Sequence, residues 1–114
     1  MAVAMFMRYP GVTPEEYDHL MLNLNLDAEP PVGEIIHAAA ESPDGIRVAD
    51  IWRTSAAAEA FVANRLKPAL AESGIVAELE YEILPLHNAY APEMEALEHM
   101  AAVSLPEVDS SAVL

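Results

Sequence analysis

The chain contains no cysteine, which excludes disulfides, iron–sulfur clusters and thiol nucleophiles. Bases are scarce: five Lys and Arg stand against 19 Asp and Glu, a formal charge of −14. A field of that sign repels phosphate backbones, so no nucleic-acid partner is expected. No apolar run approaches the ~20 residues that span a bilayer. The opening MAVAMFMRYP lacks the basic flank and long apolar core of a signal peptide. The expectation is a soluble, cytoplasmic protein with no membrane partner. Glycine is also sparse, and Gly11, Gly33, Gly45 and Gly74 compose neither a GxGxxG fingerprint nor a phosphate-binding loop. The histidines, His19, His37, His87 and His99, lack HxH or HxxxH spacing, so no metal site is expected. Ser42 and Ser55 lie outside any nucleophile-elbow context.

What is present is apolar. The 114 residues fit one domain, and 54% of them are hydrophobic. Two readings fit that excess. The alanine runs at 38–40 and 56–58 raise the count cheaply, or a buried subunit interface accommodates the extra apolar surface.

The pattern along the chain is regular. Residues 2–9 alternate as a strand, with Val3, Met5, Met7 and Tyr9 on one face and Ala4, Phe6 and Arg8 on the other. Pro10-Gly11 ends it. Thr13, Pro14 and Glu16 then form a helix start, followed by the stripe Tyr17, Leu20, Met21, Leu24. Residues 34–42 and 46–53 read as strands joined by a turn at Pro43-Asp44-Gly45. Thr54 or Ser55 caps a second helix with Phe61, Val62 and Leu66 inward, and Pro68 predicts a kink or a break in two. Residues 75–84 alternate as a fourth strand, with Leu79, Tyr81 and Ile83 opposite Glu78, Glu80 and Glu82. The order β-α-β-β-α-β is the split βαβ of a ferredoxin-like α+β fold, an antiparallel sheet with helices on one face. This domain spans residues 1–88. Residues 89–114 form a C-terminal extension, with a helix expected over 93–103 and a disordered end.

The stretch from Ile35 to Ile75 resembles the dimeric α+β barrel proteins related to antibiotic-biosynthesis monooxygenases and stress-responsive barrel proteins. The matching features are His37 in strand two, Val48, Asp50 and Trp52 spaced VxDxW in strand three, and a capped helix with Phe61. An RLxPAL end at Arg65 to Leu70 and His87-Asn88 after strand four complete the match. The resemblance covers residues 2–88. It implies a homodimer whose open sheet faces meet, and a small-molecule pocket between sheet and helices or inside the barrel. Haem-degrading relatives carry a histidine on the second helix; residues 55–73 have none, so neither haem nor another cofactor is expected.

Two residues are the catalytic candidates. His37 sits in an apolar strand, and an imidazole with reference pKa ~6.5 serves as acid or base near neutrality. Asp50 is flanked by Ala49 and Ile51, where a carboxylate is costly unless bonded. It either orients His37 or accepts a proton itself, or it anchors Arg8, Arg53 or backbone N–H groups. Whether the two share a face depends on the hairpin. A three-residue loop separates them, whereas a two-residue Asp44-Gly45 loop puts His37, Asp50 and Trp52 together. Trp52, Tyr17, Phe6, Met5 and Ile36 are candidate substrate walls, and His87 and Asn88 candidates at the pocket mouth. The chemistry implied is cofactor-independent oxygenation or acid–base cyclisation or isomerisation of a polyketide-like molecule. The alternative is a non-catalytic binding or stress-associated dimer.

Overall fold

The computed structural model describes residues 1–97. Strands β1 (Val3–Pro10), β2 (Glu34–Ser42), β3 (Gly45–Trp52) and β4 (Glu80–Pro85) form one antiparallel sheet in the order β2-β3-β1-β4. Helix α1 (Pro14–Leu24) connects β1 to β2, and α2 (Ser55–Phe61), a π-helical turn (Val62–Leu66) and α3 (Lys67–Glu72) connect β3 to β4. Among the described residues, no helix is long and apolar enough to cross a membrane.

Each element has a local cause. Thr13 closes a capping box: its hydroxyl accepts from the Glu16 N–H at 3.1 Å, and the Glu16 carboxylate accepts from the Thr13 N–H at 3.0 Å. Thr54, rather than Ser55, caps α2 by accepting from the Ala57 N–H at 3.1 Å. Pro68 lacks the N–H that an α-helix needs. The chain answers by widening one turn, so that the Lys67 N–H bonds Val62, five residues back. The expected interruption is therefore a π turn that keeps Phe61, Val62 and Leu66 all inward.

β4 begins at Glu80, later than the alternation from residue 75 suggests. Its ladder with β1 stops at Arg8↔Glu80. Beyond Arg8, β1 bends into Pro10-Gly11 and pairs with β3 alone. Met94–Ala96 form one 3-10 turn; the rest of the span 93–103 expected as helix, and the end expected to be disordered, lie outside the described residues.

The register separates the faces. On the helix side the rows across the sheet are Glu34–Trp52–Val3, His37–Asp50–Met5–Ile83 and Ala39–Val48–Met7–Tyr81. These meet Leu20, Met21, Leu24, Phe61, Val62 and Leu66 in a single core. On the open side the rows are Ile36–Ile51–Ala4–Leu84, Ala38–Ala49–Phe6–Glu82 and Ala40–Arg47–Arg8–Glu80. That face is apolar at one end and charged at the other, with Phe6 and Leu84 exposed.

Candidate active site

The hairpin decides the site. Ser42 pairs with Gly45, so the turn is Pro43-Asp44, one residue earlier than either loop expected from sequence. Gly45 belongs to β3 because only glycine fits there. Its φ is +141°, and a Cβ would lie 2.2 Å from the Tyr9 carbonyl oxygen. The Gly11 N–H fixes the turn through the Asp44 carbonyl at 2.8 Å. The consequence is that His37 stands directly opposite Asp50, on the helix side.

Asp50 is buried, with its side chain 1% exposed. Its Oδ1 lies 2.7 Å from His37 Nδ1, and its Oδ2 accepts from the Trp52 indole N–H at 3.3 Å. The carboxylate can only accept, so Nδ1 carries the proton and Nε2 holds the lone pair. The Tyr17 hydroxyl donates to that Nε2, with its ring plane nearly parallel to the imidazole's, 3° apart. Tyr17, His37 and Asp50 thus form one chain running from α1 through β2 to β3. Burial, then Tyr9 and then Asp50, pushes the Tyr17 hydroxyl up, so it stays neutral. Arg8 and Arg53 are not the anchors of Asp50: Arg8 pairs instead with Asp44 at 3.2 Å and Glu80 at 3.6 Å.

A fourth member joins through a bulge. β2 slips register between Glu34 and Ile36, so Glu34 falls on the same face as His37 although three residues separate them. Its Oε2 is 4.0 Å from His37 Nδ1, and its carboxyl lies beside that of Asp50, with donor atoms of the three residues within 4.8 Å of one another. Burial first, then the charge and hydrogen bond of Asp50, raise the Glu34 carboxyl to about 8, with Arg65 opposing. Strict alternation from His37 places residue 34 on the open face, which is why sequence reasoning passed over it. The trace it leaves is a carboxylate heading an otherwise apolar strand.

A narrow cavity opens on this cluster between the layers. Met7, Met21, Leu24 and Phe61 form its walls, and Glu34, His37 and Asp50 its polar end. It has room for about one water. Arg65 crosses its helix-side wall, donating to the Leu24 carbonyl at 2.8 Å and lying over the Phe61 ring.

The remaining sequence candidates sit elsewhere. Trp52 and Met5 are fully buried core residues. Ile36 points away from His37, and Phe6 lies on the open face beside a shallow groove with Arg8, Glu80 and Glu82. His87 and Asn88 are exposed beyond β4, where the Leu86 N–H bonds the Ala2 carbonyl. Glu34, His37 and Asp50 are also the described residues whose ligand types suit a divalent cation, with donor atoms within 4.8 Å of one another. No buried side-chain nitrogen or oxygen among the described residues lacks a partner.

The sheet order and the one-sided helices define a ferredoxin-like α+β fold. Solved structures share it. SnoaB, a cofactor-independent oxygenase from Streptomyces nogalater, aligns over 81% of this chain and 98% of its own, with TM-score 0.58 and 15% identity. NE2512 from Nitrosomonas europaea, a protein of unknown function, aligns over 80% and 94%, with TM-score 0.59 and 21% identity. Rv0793 from Mycobacterium tuberculosis aligns over 79% and 100%, with TM-score 0.57 and 18% identity. No protein-family model matches the chain, and no curated relative matches it.

Proposed function

We propose that this protein is a small-molecule enzyme doing acid–base chemistry without a metal or organic cofactor, on a flat polyketide-like substrate. The carrying observation is the Tyr17–His37–Asp50 chain ending in a cavity. An imidazole fixed in one tautomer by a buried carboxylate gives the polar end of the cavity an ordered proton chain that can serve acid–base chemistry. Two chemistries fit. In the first, the site removes a proton from an acidic CH₂ of an anthrone, phenol tautomer or β-dicarbonyl. The carbanion adds dioxygen as a hydroperoxide, which loses water to leave a carbonyl. One oxygen atom enters the product and the other leaves in water. In the second, the same proton transfer cyclises or isomerises the substrate, and no oxygen is consumed. The fold shared with a cofactor-independent oxygenase supports the first.

The working form in this reading is a homodimer. The apolar row Ile36–Ile51–Ala4–Leu84, with exposed Phe6 beside it, is the surface a second copy would cover. The cavity must widen to take such a substrate, since ligand sites usually measure ~300 Å³ or more. Methionines 7 and 21 in its wall are the side chains best able to move.

That small volume favours a second reading, a binding dimer with no turnover. Oxygen-electrode and product assays on anthrone, phenol and β-dicarbonyl probes, under air and under nitrogen, separate the two. Turnover lost in His37→Ala supports the enzyme. Stoichiometric binding with no turnover of any probe moves the protein to the second class.

A further inference from the structure

We infer that Glu34 is the residue that exchanges a proton with the bound molecule, while Tyr17, His37 and Asp50 support it from behind. This rests on the acid–base reading above and names the group that meets the substrate. Both imidazole nitrogens are engaged, Nδ1 by Asp50 at 2.7 Å and Nε2 by the Tyr17 hydroxyl. A molecule in the cavity reaches either only by displacing a partner. Asp50 has one oxygen on His37 and the other on Trp52, and its side chain is 1% exposed. Glu34 differs in position. The bulge in β2 turns it to the cavity, where its side chain is 13% exposed, against 1% for Asp50 and 20% for the doubly bonded His37, and its carboxyl lies beside Asp50 at the cavity's polar end. The surroundings hold a proton there. Asp50 from β3, Tyr9 from β1, Tyr17 from α1, His37 from β2 and Arg65 from the π turn are the titratable or charged groups around it. Only Arg65 is a fixed cation.

The same field selects the substrate. A buried Asp50 carboxylate, in a protein of charge −14, disfavours an anion. The molecule is neutral, flat and apolar, with a carbonyl oxygen beside an acidic C–H. Glu34 gives its proton to the carbonyl oxygen and becomes a carboxylate. That carboxylate then takes the proton from the neighbouring carbon, and the C–H electron pair becomes the C=C bond of the enol. The carboxyl is regenerated and the proton count balances.

The test uses the full chain and 2-tetralone as probe, a flat neutral ketone whose C1 methylene adjoins its carbonyl. Deuterium exchange at its methylene is followed by NMR under nitrogen, beside a ¹³C titration of the glutamate carboxyls. Glu34→Gln keeps the shape of the protonated acid and its hydrogen bond, so the variant stays folded. We expect exchange to fall ~10²-fold or more in Glu34→Gln, as for loss of a general acid–base group, with partial rescue in Glu34→Asp. One glutamate carboxyl should titrate near pH 8, vanish in Glu34→Gln and shift when the probe binds. Exchange in Glu34→Gln within about threefold of wild type, with an unchanged pH profile, overturns the inference while leaving the acid–base reading intact. Should wild type exchange nothing, the acid–base reading falls and this inference falls with it. Ordinary acidic titration of every glutamate, or one tightly held divalent ion per chain in its place, overturns it.

Discussion

Replacing Glu34 by glutamine should change how stability depends on pH. The Glu34 carboxyl sits at about 8 in the folded protein against 4.5 for an unperturbed glutamate. The folded state therefore binds this proton more tightly than the unfolded chain does. Its contribution to stability is complete below about pH 4.5, falls as pH rises, and is gone above about 8. One proton changes stability by about 1.4 kcal/mol per pH unit inside that window. Between pH 5.5 and 7.5 the wild type should thus lose up to about 3 kcal/mol that Glu34→Gln keeps. For a domain of this size that is a widening gap in melting temperature of ~10 °C or more. The rest of the charge, including the self-repulsion of 19 acids, is common to both proteins and cancels in the difference. The assay is thermal unfolding by circular dichroism at half-unit pH steps, wild type against Glu34→Gln. Parallel curves from pH 5 to 8.5 would refute the placement of a protonated carboxyl beside Asp50. A gap that opens only below pH 4.5 would put Glu34 in the ordinary range and refute it equally.

Other substitutions probe the rest of the frame. Asp50→Asn removes the acceptor that fixes His37 and receives the Trp52 indole N–H. It should cost about 1–3 kcal/mol for each donor left unpaired, read by urea unfolding with Trp52 fluorescence. Gly45→Ala forces a Cβ to within 2.2 Å of the Tyr9 oxygen at φ +141°, and should destabilise by ~2 kcal/mol or more. Thr13→Ala opens the capping box and should cost about 1 kcal/mol in thermal unfolding. Phe6→Glu places a charge on the apolar end of the open sheet face. Under the proposed homodimer, sedimentation should show wild type as a dimer and this variant as a monomer at the same concentration.

Much of the fold was legible because each element carries its own local cause. The alternation of β1, the Thr13 capping box and the stripe Tyr17, Leu20, Met21, Leu24 all reappear where the pattern puts them. Pro68 announced an interruption but not its form, because the missing N–H can be accommodated by a kink or by a wider turn. The site was less legible for a single reason. Its geometry depends on two register details, the turn at Pro43-Asp44 and the bulge after Glu34. A one-residue slip moves every side chain of a strand to the other face. Periodicity gives no absolute phase between two strands. What fixed the hairpin was the close approach of Gly45 to the Tyr9 backbone, a contact between β3 and a third strand that no local pattern records. The bulge is harder still to read, since Ile35 and Ile36 look alike whichever one is extra.

The makeup of the interior argues for chemistry over packing. A core that needed only to be filled would be served by aliphatic side chains, which carry no desolvation cost. This one encloses Asp50 and Trp52, brings Glu34 and His37 to its rim, and sets Tyr9 and Tyr17 against them. Apolar residues of similar volume in place of the carboxylates and imidazole would leave the sheet order unchanged, because the strands are specified by Val3, Met5, Met7, Ile46 and Val48 and by their backbone ladders. The polar chain is therefore dispensable to the fold. It is also complete, with every described buried polar atom paired, and complete networks are the ones that hold a single proton position. Stability and activity should therefore diverge at residue 34: glutamine there strengthens the fold as pH rises and silences the site.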